Sequence, residues 1–352
     1  MLAPYRKPER WRSAFQLVNT TVPFVGMWLL MLWSLRVGYW LTLLLAVPTA
    51  LFVVRMFMFQ HDCGHGSFFK SRKFNDWVGR VIGVLTLVPY AYWRRTHAIH
   101  HAGSGNLDTR SFGDIDTLTV REYLSRSRSK RALYRLYRHP AVMMLIGPAF
   151  QFIIKHRFPT DTPRTWKREW RSVHGTNLAL ITVVAVMWLT VGLDRFLMIQ
   201  LPITLIAGSI GVYLFYVQHQ YEDTYWRYKE TWDYYAAGLE GASLLVMPKI
   251  LQWFTANIGL HHIHHVSSRI PNYHLQRCYN ENPELHEVTR LTLFGSIKTL
   301  WLSLWDEEGK QLVRFRDLRR IRRRLAAQGE EADAIVPTKA EAVPKSWRER
   351  KG

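Results

Sequence analysis

Two long apolar tracts dominate the pattern of hydrophobic and polar positions in this chain of 352 residues. The first, residues 14–60, contains two charged residues, and the second, residues 175–220, also contains two. A membrane-spanning helix needs about 20 consecutive, mostly apolar residues. Each tract is therefore long enough for two helices joined by a tight turn. The pattern predicts an all-α integral membrane protein with four transmembrane helices in two hairpins.

The charged residues inside these tracts indicate where the turns lie. We expect the first turn near residues 36–39 and the second near residues 192–195, because Arg36, Asp194 and Arg195 interrupt the apolar runs there. Arg55 lies inside the second predicted helix. Since long arginine side chains can extend along a helix to the membrane interface, we expect Arg55 to reach the interface in this way.

The segments between and after the hairpins have mixed patterns. Residues 78–93 are apolar but interrupted by glycine and proline, which predicts an interfacial or re-entrant helix. Residues 121–139 are basic with interleaved Leu and Tyr, as in a helix that lies on anionic lipid. Residues 141–154 are a second candidate interfacial helix. Four aromatic residues near the boundaries, Tyr90, Trp93, Trp232 and Trp253, are expected in the interfacial aromatic belt.

The Lys and Arg distribution predicts the orientation, because cytoplasmic loops carry the excess of basic residues. Of the 47 basic residues, all but three lie outside the two hairpins, before, between or after them. Both termini and the middle segment should therefore face the cytoplasm. The predicted order is a basic N-terminus (1–13), the first hairpin (14–60), a cytoplasmic cap segment (61–175), the second hairpin (176–218), a second cap segment (219–325) and a disordered tail (326–352).

The net charge and the cysteine content narrow the class of protein further. The net charge of +20 would suit nucleic acid, but the membrane topology explains its sign and no nucleic-acid-binding motif is present. We expect no nucleic-acid partner. The two cysteines are too few for a disulfide framework or a cysteine-based zinc site. The first apolar stretch begins late and continues into a second one, so we expect no cleavable signal peptide.

Nine of the fifteen histidines occur at spacings that suit metal binding. Histidine is the commonest metal ligand, and residues three or four apart on a helix share a face. Each HxxHH sequence therefore presents three ring nitrogens to one side. Three clusters and one further histidine form the candidate ligand set: His61 and His65 in HDCGH, His97, His100 and His101 in HAIHH, His261, His264 and His265 in HHIHH, and His219.

Nine imidazoles exceed the six positions of an octahedral ion, so two metal ions are expected. Imidazole suits Fe, Zn, Cu and Ni. Structural zinc normally takes four ligands and catalytic zinc three, and the soluble di-iron carboxylate bundles need Glu-x-x-His pairs, which this chain lacks. A histidine-rich di-iron centre for oxygen chemistry remains. The other histidines are not expected to bind metal: His262 between two ligand positions, and the isolated His139, His156, His174, His274 and His286.

The sequences around these histidines resemble the membrane fatty-acid desaturase family, of the bacterial and cyanobacterial acyl-lipid type. The resemblance covers roughly residues 50–280 and rests on HDCGHGSFF, RRTHAIHHAGSGNLD, GDIDTLTVREY, VQHQYEDTYW and NIGLHHIHHVSSRIPNY. It implies four membrane spans, cytoplasmic histidine boxes and two iron ions that use dioxygen to form a cis double bond in a fatty acyl chain. His219 resembles an extra ligand after the fourth helix. Asn257 resembles an asparagine that contributes through water.

The resemblance also implies partners and leaves alternatives open. The substrate is expected to be a fatty acyl lipid or an acyl-CoA, with insertion at carbon 12 or carbon 5 and carbon 12 favoured. Because the chain has no haem-binding HPGG motif and no iron–sulfur cysteine set, electrons should come from an external ferredoxin or cytochrome b5-like donor. The alternatives are a di-iron hydroxylase or ketolase of the same superfamily, an alkane oxygenase, and a metal-transporting or haem-binding membrane protein.

Ligating histidines usually donate their second ring N–H to a carboxylate or a carbonyl group. Acidic residues near the boxes are therefore candidates for holding the ligand rings. They are Asp62, Asp108, Asp114, Asp116, Glu222 and Asp223.

Overall fold

Four long helices in two hairpins form the membrane-spanning part of the fold. The computed structural model describes residues 1–110 and 113–327, so the predicted tail lies outside the described residues from position 328 onward. The helices are α1 (Arg10–Ser34), α2 (Tyr39–His65), α3 (Arg72–Leu85), α4 (Tyr90–Gly103), α5 (Val120–Ser125), α6 (Arg128–Tyr137), α7 (Val142–Lys155), α8 (Lys167–Thr190), α9 (Leu193–His219), α10 (Tyr234–Glu240), α11 (Lys249–Phe254), α12 (His261–Val266), α13 (Asn272–Glu281) and α14 (Leu318–Ala327).

Helices α1, α2, α8 and α9 are long and apolar enough to cross a membrane, which confirms the four predicted spans. The turn of the first hairpin is fixed by a hydrogen bond between the hydroxyl groups of Ser34 and Thr42, 2.7 Å apart and fully buried. The second turn uses Gly192 at φ +97°, a conformation that L-residues with a side chain rarely adopt. Both turns lie at or beside their predicted positions.

Helices α2 and α9 are longer than a bilayer requires. Each has 27 residues, which at 1.5 Å per residue corresponds to roughly 40 Å, against about 30 Å of hydrocarbon. Their C-terminal turns, which carry His61, His65 and His219, therefore have the length to extend beyond the hydrocarbon. Gly66 in the left-handed region, with φ +71°, ends α2 directly after His65.

Short helices and strands form a cap on these C-terminal turns. The region predicted as one interfacial helix is divided between α3 and α4 by residues 86–89, and the basic region 121–139 is divided between α5 and α6. Five short strands were not predicted. They are β1 (Leu118–Thr119), β2 (Leu244–Val246), β3 (Arg290–Thr292), β4 (Leu304–Asp306) and β5 (Gln311–Val313); β4 pairs with β1 in parallel and with β5 antiparallel, and β2 pairs with β3 in parallel.

Arg55 is buried among protein groups and does not extend along an exposed face of its helix, so the expectation that it reaches the interface in that way was wrong. Its side chain is buried, its Nε donates to Thr20 Oγ1 at 3.0 Å, and its Nη1 donates to the carbonyl oxygen of Trp253. The guanidinium carbon lies 3.8 Å from the centroid of the Trp253 ring. Helix α2 continues for ten residues beyond Arg55. The guanidinium group therefore lies between Thr20 of α1 and Trp253 of α11, which are its partners on the two sides.

A second buried arginine connects the cap to the membrane helices. Arg138 is 1% exposed, and its guanidinium donates hydrogen bonds to groups on three separate segments of the chain. No carboxylate is among its acceptors. These acceptors are the carbonyl oxygens of Asp116 (3.1 Å) and Leu302 (2.8 Å), Thr117 Oγ1 (3.0 Å), Tyr216 Oη (3.0 Å) and Gln220 Oε1 (3.0 Å).

Replacing Arg138 by Met should destabilise the fold, because the five acceptors of its guanidinium group would all lose their hydrogen-bond donor. We expect a loss on the order of 3 kcal/mol and a fall in Tm of roughly 5 to 10 °C, measured by thermal unfolding of the purified protein in detergent. Arg128→Met on the exposed start of α6 is the matched control and should change Tm little. Equal Tm values for the two variants would contradict this role for Arg138.

Candidate metal centre

The nine predicted histidines are brought together by four helices. The end of α2 supplies His61 and His65, and the last residue of α9 is His219. The last turns of α4 carry the second box, and α12 consists almost entirely of the third box. Seven of the nine side chains are buried, whereas His65 and His97 are partly exposed.

Their ring nitrogens form two groups. In the first, one nitrogen of each member lies within 4.8 Å of those of all the others; its members are His61, His65, His97, His101 and His264. The same holds for His100, His219 and His265. His261 joins this second group, since its Nε2 lies 2.9 Å from Nε2 of His219 and 3.2 Å from Nε2 of His265. The result is a five-histidine group and a four-histidine group.

Both HxxHH boxes divide their side chains between the two groups. In the second box, His97 and His101 belong to the five-histidine group and His100 to the other. The third box does the reverse, because His261 and His265 lie in the four-histidine group and His264 in the other. Residues four apart stay on one face, and the residue three positions along is displaced from it. Each box can therefore bridge two metal ions.

The nitrogen contacts within the groups fit bound cations. Nε2 of His101 lies 3.1 Å from Nε2 of His97 and 3.0 Å from Nε2 of His264. Among the described residues, the buried Nε2 atoms of His65 and His100 have no hydrogen-bond partner. Several ring nitrogens that face one another, with too few N–H groups among them to form hydrogen bonds, are typical of a metal site. The residues present thus fit two metal ions with nitrogen ligands.

Burial favours the neutral form of five of these rings. It lowers the pKa of His264 and of His101 well below the ordinary value, and neighbouring histidines lower each pKa further. Burial likewise lowers the pKa of His97, His261 and His265. Metal binding requires the neutral imidazole with a free lone pair. These five histidines therefore favour the form that binds metal.

Three ligand candidates have a partner for their second ring nitrogen. His100 Nδ1 contacts Asp114 Oδ1, and His219 Nδ1 lies 3.0 Å from the carbonyl oxygen of Gly241. His61 Nδ1 lies 3.4 Å from Asp62 Oδ1. Such partners fix the tautomer and the orientation of the ring. In these three rings the Nδ1–H points outward, which leaves Nε2 for the metal.

Asp62 is itself held by a residue that the sequence did not single out. The backbone N–H and the Nδ2 of Asn272 donate to Asp62 Oδ2 at 2.8 and 2.9 Å. Asn272 also exchanges hydrogen bonds with the side chain of Gln16 on α1. No spacing or periodicity marks Asn272, which lies seven residues after the third box.

Within the part of the chain that the structure describes, the remaining candidate partners of the ligand rings form no hydrogen bond with a histidine. Asp223 is exposed and accepts a hydrogen bond from Thr289, and Asp108 accepts one from the backbone of Lys229. Asn257 donates to the carbonyl oxygen of Asn272 at 3.3 Å. Asp116 contributes its backbone carbonyl to Arg138 and Tyr134, and Glu222 its carbonyl to Leu312.

The six other histidines have different surroundings. His262 is buried and bonds the carbonyl oxygen of Leu285 at 3.1 Å, as expected for a structural residue. The other five contact no member of either group; they are His139, His156, His174, His274 and His286.

The aromatic residues assigned to the membrane interface belong partly to the site, so that expectation was wrong for Tyr90 and Trp93. Trp93 stacks on His97, with ring centroids 4.5 Å apart and planes at 17°. Tyr90 is buried, and its hydroxyl donates to the carbonyl oxygen of Cys63 at 2.8 Å. A side chain at Gly64 would meet the Trp93 ring at 2.8 Å. The glycine in HDCGH thus leaves room for a ring that covers His97.

The fold and the site define a membrane protein with four spans and a histidine-rich centre that can hold two metal ions. The family model for fatty acid desaturase matches residues 37–293. The chain belongs to the fatty acid desaturase family, and it is an oxidoreductase.

Named relatives agree with this assignment. The chain is 46% identical over 320 residues to a fatty acid desaturase of Bacillus subtilis, covering 91% of this chain and 90% of that protein. It is 28% identical over 236 residues to the sn-1 acyl-lipid omega-3 desaturase (ferredoxin) of Synechocystis, covering 63% and 62%. It is 26% identical over 305 residues to the sn-1 oleoyl-lipid 12-desaturase of Anabaena variabilis, covering 80% and 81%.

Replacing Asp114 by Ala should weaken metal retention about 10- to 100-fold, because His100 would lose the partner of its Nδ1–H. Metal content after titration with a chelator, measured by inductively coupled plasma mass spectrometry, gives the result. Asp114→Asn keeps an acceptor and should restore much of the retention. Asp108→Ala removes a nearby exposed carboxylate as the control. Retention in the Asp114→Ala variant equal to that of the control would contradict this role.

Proposed function

We propose that this chain inserts a cis double bond into a membrane-associated fatty acyl chain, using dioxygen and two iron ions bound by its nine clustered histidines. The observation that carries the proposal is the division of these histidines into nitrogen-only groups of five and four. Zinc sites use three or four ligands, whereas imidazole also suits iron. When bound, the iron pair supplies the reduction of dioxygen and the removal of two hydrogens from adjacent methylene carbons.

The chain's own residues hold and shield this chemistry. Four helices present the ring nitrogens, and burial lowers the pKa of His264 and His265, which favours their neutral form. Asp114 and the Gly241 carbonyl fix the rings of His100 and His219. Seven of the nine rings are buried, so bulk water has little access to them. His65 and His97 are the partly exposed members, which makes their side the candidate entry for the acyl chain.

The proposed orientation places the metal centre and both termini in the cytoplasm. The basic residues outside the hairpins support this orientation by the excess of Lys and Arg in cytoplasmic loops. The segments 61–175 and 219–325 then form one cap at the cytoplasmic membrane surface. The lengths of α2 and α9 support this arrangement, because they allow histidines at the helix ends to lie beyond the hydrocarbon.

The proposed substrate is a glycerolipid-bound acyl chain, with the double bond at carbon 12. The names of the cyanobacterial relatives support an acyl-lipid substrate, and one of them is a 12-desaturase at 26% identity. Carbon 5 is the other position predicted from the sequence. The electron donor is proposed to be an external one-electron carrier, since the Synechocystis relative is named for ferredoxin.

Two other functions make different predictions for the product. A hydroxylase or ketolase with the same iron pair would leave oxygen on the acyl chain. A metal-transporting protein would place its ionisable ligands near the middle of the membrane, whereas these histidines lie at helix C-termini and in the cap. The family assignment favours desaturation over both.

Expression in a bacterial host with a ferredoxin reducing system should produce a fatty acid with one new cis double bond. Gas chromatography–mass spectrometry of dimethyl disulfide adducts then gives the double-bond position, and we expect carbon 12. The His264→Ala variant should form no detectable product, because it removes a ligand of the five-histidine group. A hydroxylated product, or a product that persists in His264→Ala, would overturn the proposal.

The control for this experiment is His139→Ala. His139 is exposed and lies outside both histidine groups, so its removal should leave product formation close to that of the unmodified chain. Iron content of both purified variants separates loss of metal from loss of protein.

A further inference from the structure

We propose that the electron donor docks on the exposed side of α14, and that this surface binds an acidic one-electron carrier of the ferredoxin class. This inference rests on the proposed function, which requires electrons from outside the chain. The surface, here called the arginine face, consists of Arg319, Arg320, Arg322 and Arg323. All four side chains are exposed.

The sequence of α14 places its apolar residues on one side of the helix. Leu318, Ile321 and Leu325 are buried in a cluster with residues of α5, α6, β1, β4 and β5. At about 100° per residue, Arg319, Arg320 and Arg323 lie on the opposite side, and Arg322 lies at the flank beside Leu318. Arg324, at the edge, pairs with Asp306 at 2.7 Å and Glu308 at 3.1 Å. The helix is thus anchored to the cap and presents a concentrated positive charge.

The arginine face has no negative partner within residues 1–110 and 113–327. None of its four guanidinium groups forms an ion pair or a side-chain hydrogen bond there. Four like charges within about one and a half turns repel one another and lower the stability of an isolated helix. An acidic partner would remove this repulsion. The surface is therefore electrostatically complementary to an acidic protein.

The absence of exposed apolar side chains favours a protein over a lipid surface. Helices that contact lipid at the interface carry apolar residues beside their basic ones. On α6 the large apolar residues Leu133 and Leu136 are 67% and 59% exposed, and on α3 Trp77 is 59% exposed. Within the described residues, no large apolar side chain is exposed after Trp301. By this criterion α3 and α6 have the side chains to contact lipid, whereas the exposed side of α14 is suited to face water.

A short series of contacts connects the arginine face to the four-histidine group. The buried side of α14 shares its apolar cluster with Tyr134 on α6. Arg138, which directly follows α6, donates to Gln220 Oε1 at 3.0 Å, and Gln220 directly follows His219. The arginine face is therefore linked to the four-histidine group through the apolar cluster, Arg138 and Gln220.

The electron balance defines what the donor must supply. One dioxygen, two electrons and two protons convert a –CH2–CH2– unit into –CH=CH– and two water molecules. Two molecules of a reduced one-electron carrier are therefore oxidised for each double bond. The carrier must bind, transfer one electron and leave twice, which suits a surface held together mainly by charge.

The test compares two variants with equal loss of charge in the full chain, reconstituted in phosphatidylcholine nanodiscs. One variant replaces all four residues of the arginine face by Gln. The control replaces four exposed basic residues elsewhere by Gln: Lys70, Lys73, Arg80 and Lys249. Turnover is measured against the concentration of a reduced [2Fe–2S] ferredoxin, and a single turnover is driven by dithionite. Iron content is measured in every sample.

We expect the KM for ferredoxin to rise roughly tenfold or more in the arginine-face variant and to stay within twofold in the control. Product from dithionite and iron content should be unchanged in both. A KM for ferredoxin that stays within twofold in the arginine-face variant would overturn the docking site. So would activity that depends on added phosphatidylserine only when the arginine face is intact, because the face would then bind lipid. Absence of product from the unmodified chain with either reductant would instead overturn the proposed function and this inference with it.

Discussion

The structure depends on one geometric constraint: nine imidazoles from four helices must converge at the ends of two long apolar helices. Helices α2 and α9 have the length for this, since each has 27 residues and a membrane span needs only about 20. Their surplus turns carry His61, His65 and His219, whose polar ring nitrogens would be costly to bury in lipid. The cap then supplies the other six histidines from α4 and α12.

The division of the boxes explains why two groups of different size form. Each HxxHH box gives two histidines to one group and one to the other. Helix α2 adds two more to the five-histidine group, and α9 adds one to the four-histidine group. The smaller group thus has fewer protein ligands. The two groups differ in size because α2 ends in HxxxH, which has two histidines, whereas α9 ends in a single histidine.

Local patterns in the sequence were sufficient to predict the four spans, their turns and the histidines that converge. Long apolar runs and the spacing of three and four residues are local signals, and they do not depend on tertiary contacts. The partners of Arg55, Arg138 and Asp62 could not be predicted, because each lies on a distant segment. Trp93 was assigned to the interface for the same reason, since only tertiary packing places its ring on His97. Short strands such as β1 also depend on pairing with remote residues.

Metal stoichiometry of the purified full chain tests the central claim most directly. The chain would be expressed with iron in the medium, and its metals measured by inductively coupled plasma mass spectrometry together with Mössbauer spectroscopy of a ⁵⁷Fe-enriched sample. Two groups of histidines predict two iron ions per chain, in two nitrogen-rich environments. One iron per chain, bound haem, or zinc in place of iron after growth in iron would contradict the dinuclear centre on which the proposed chemistry depends.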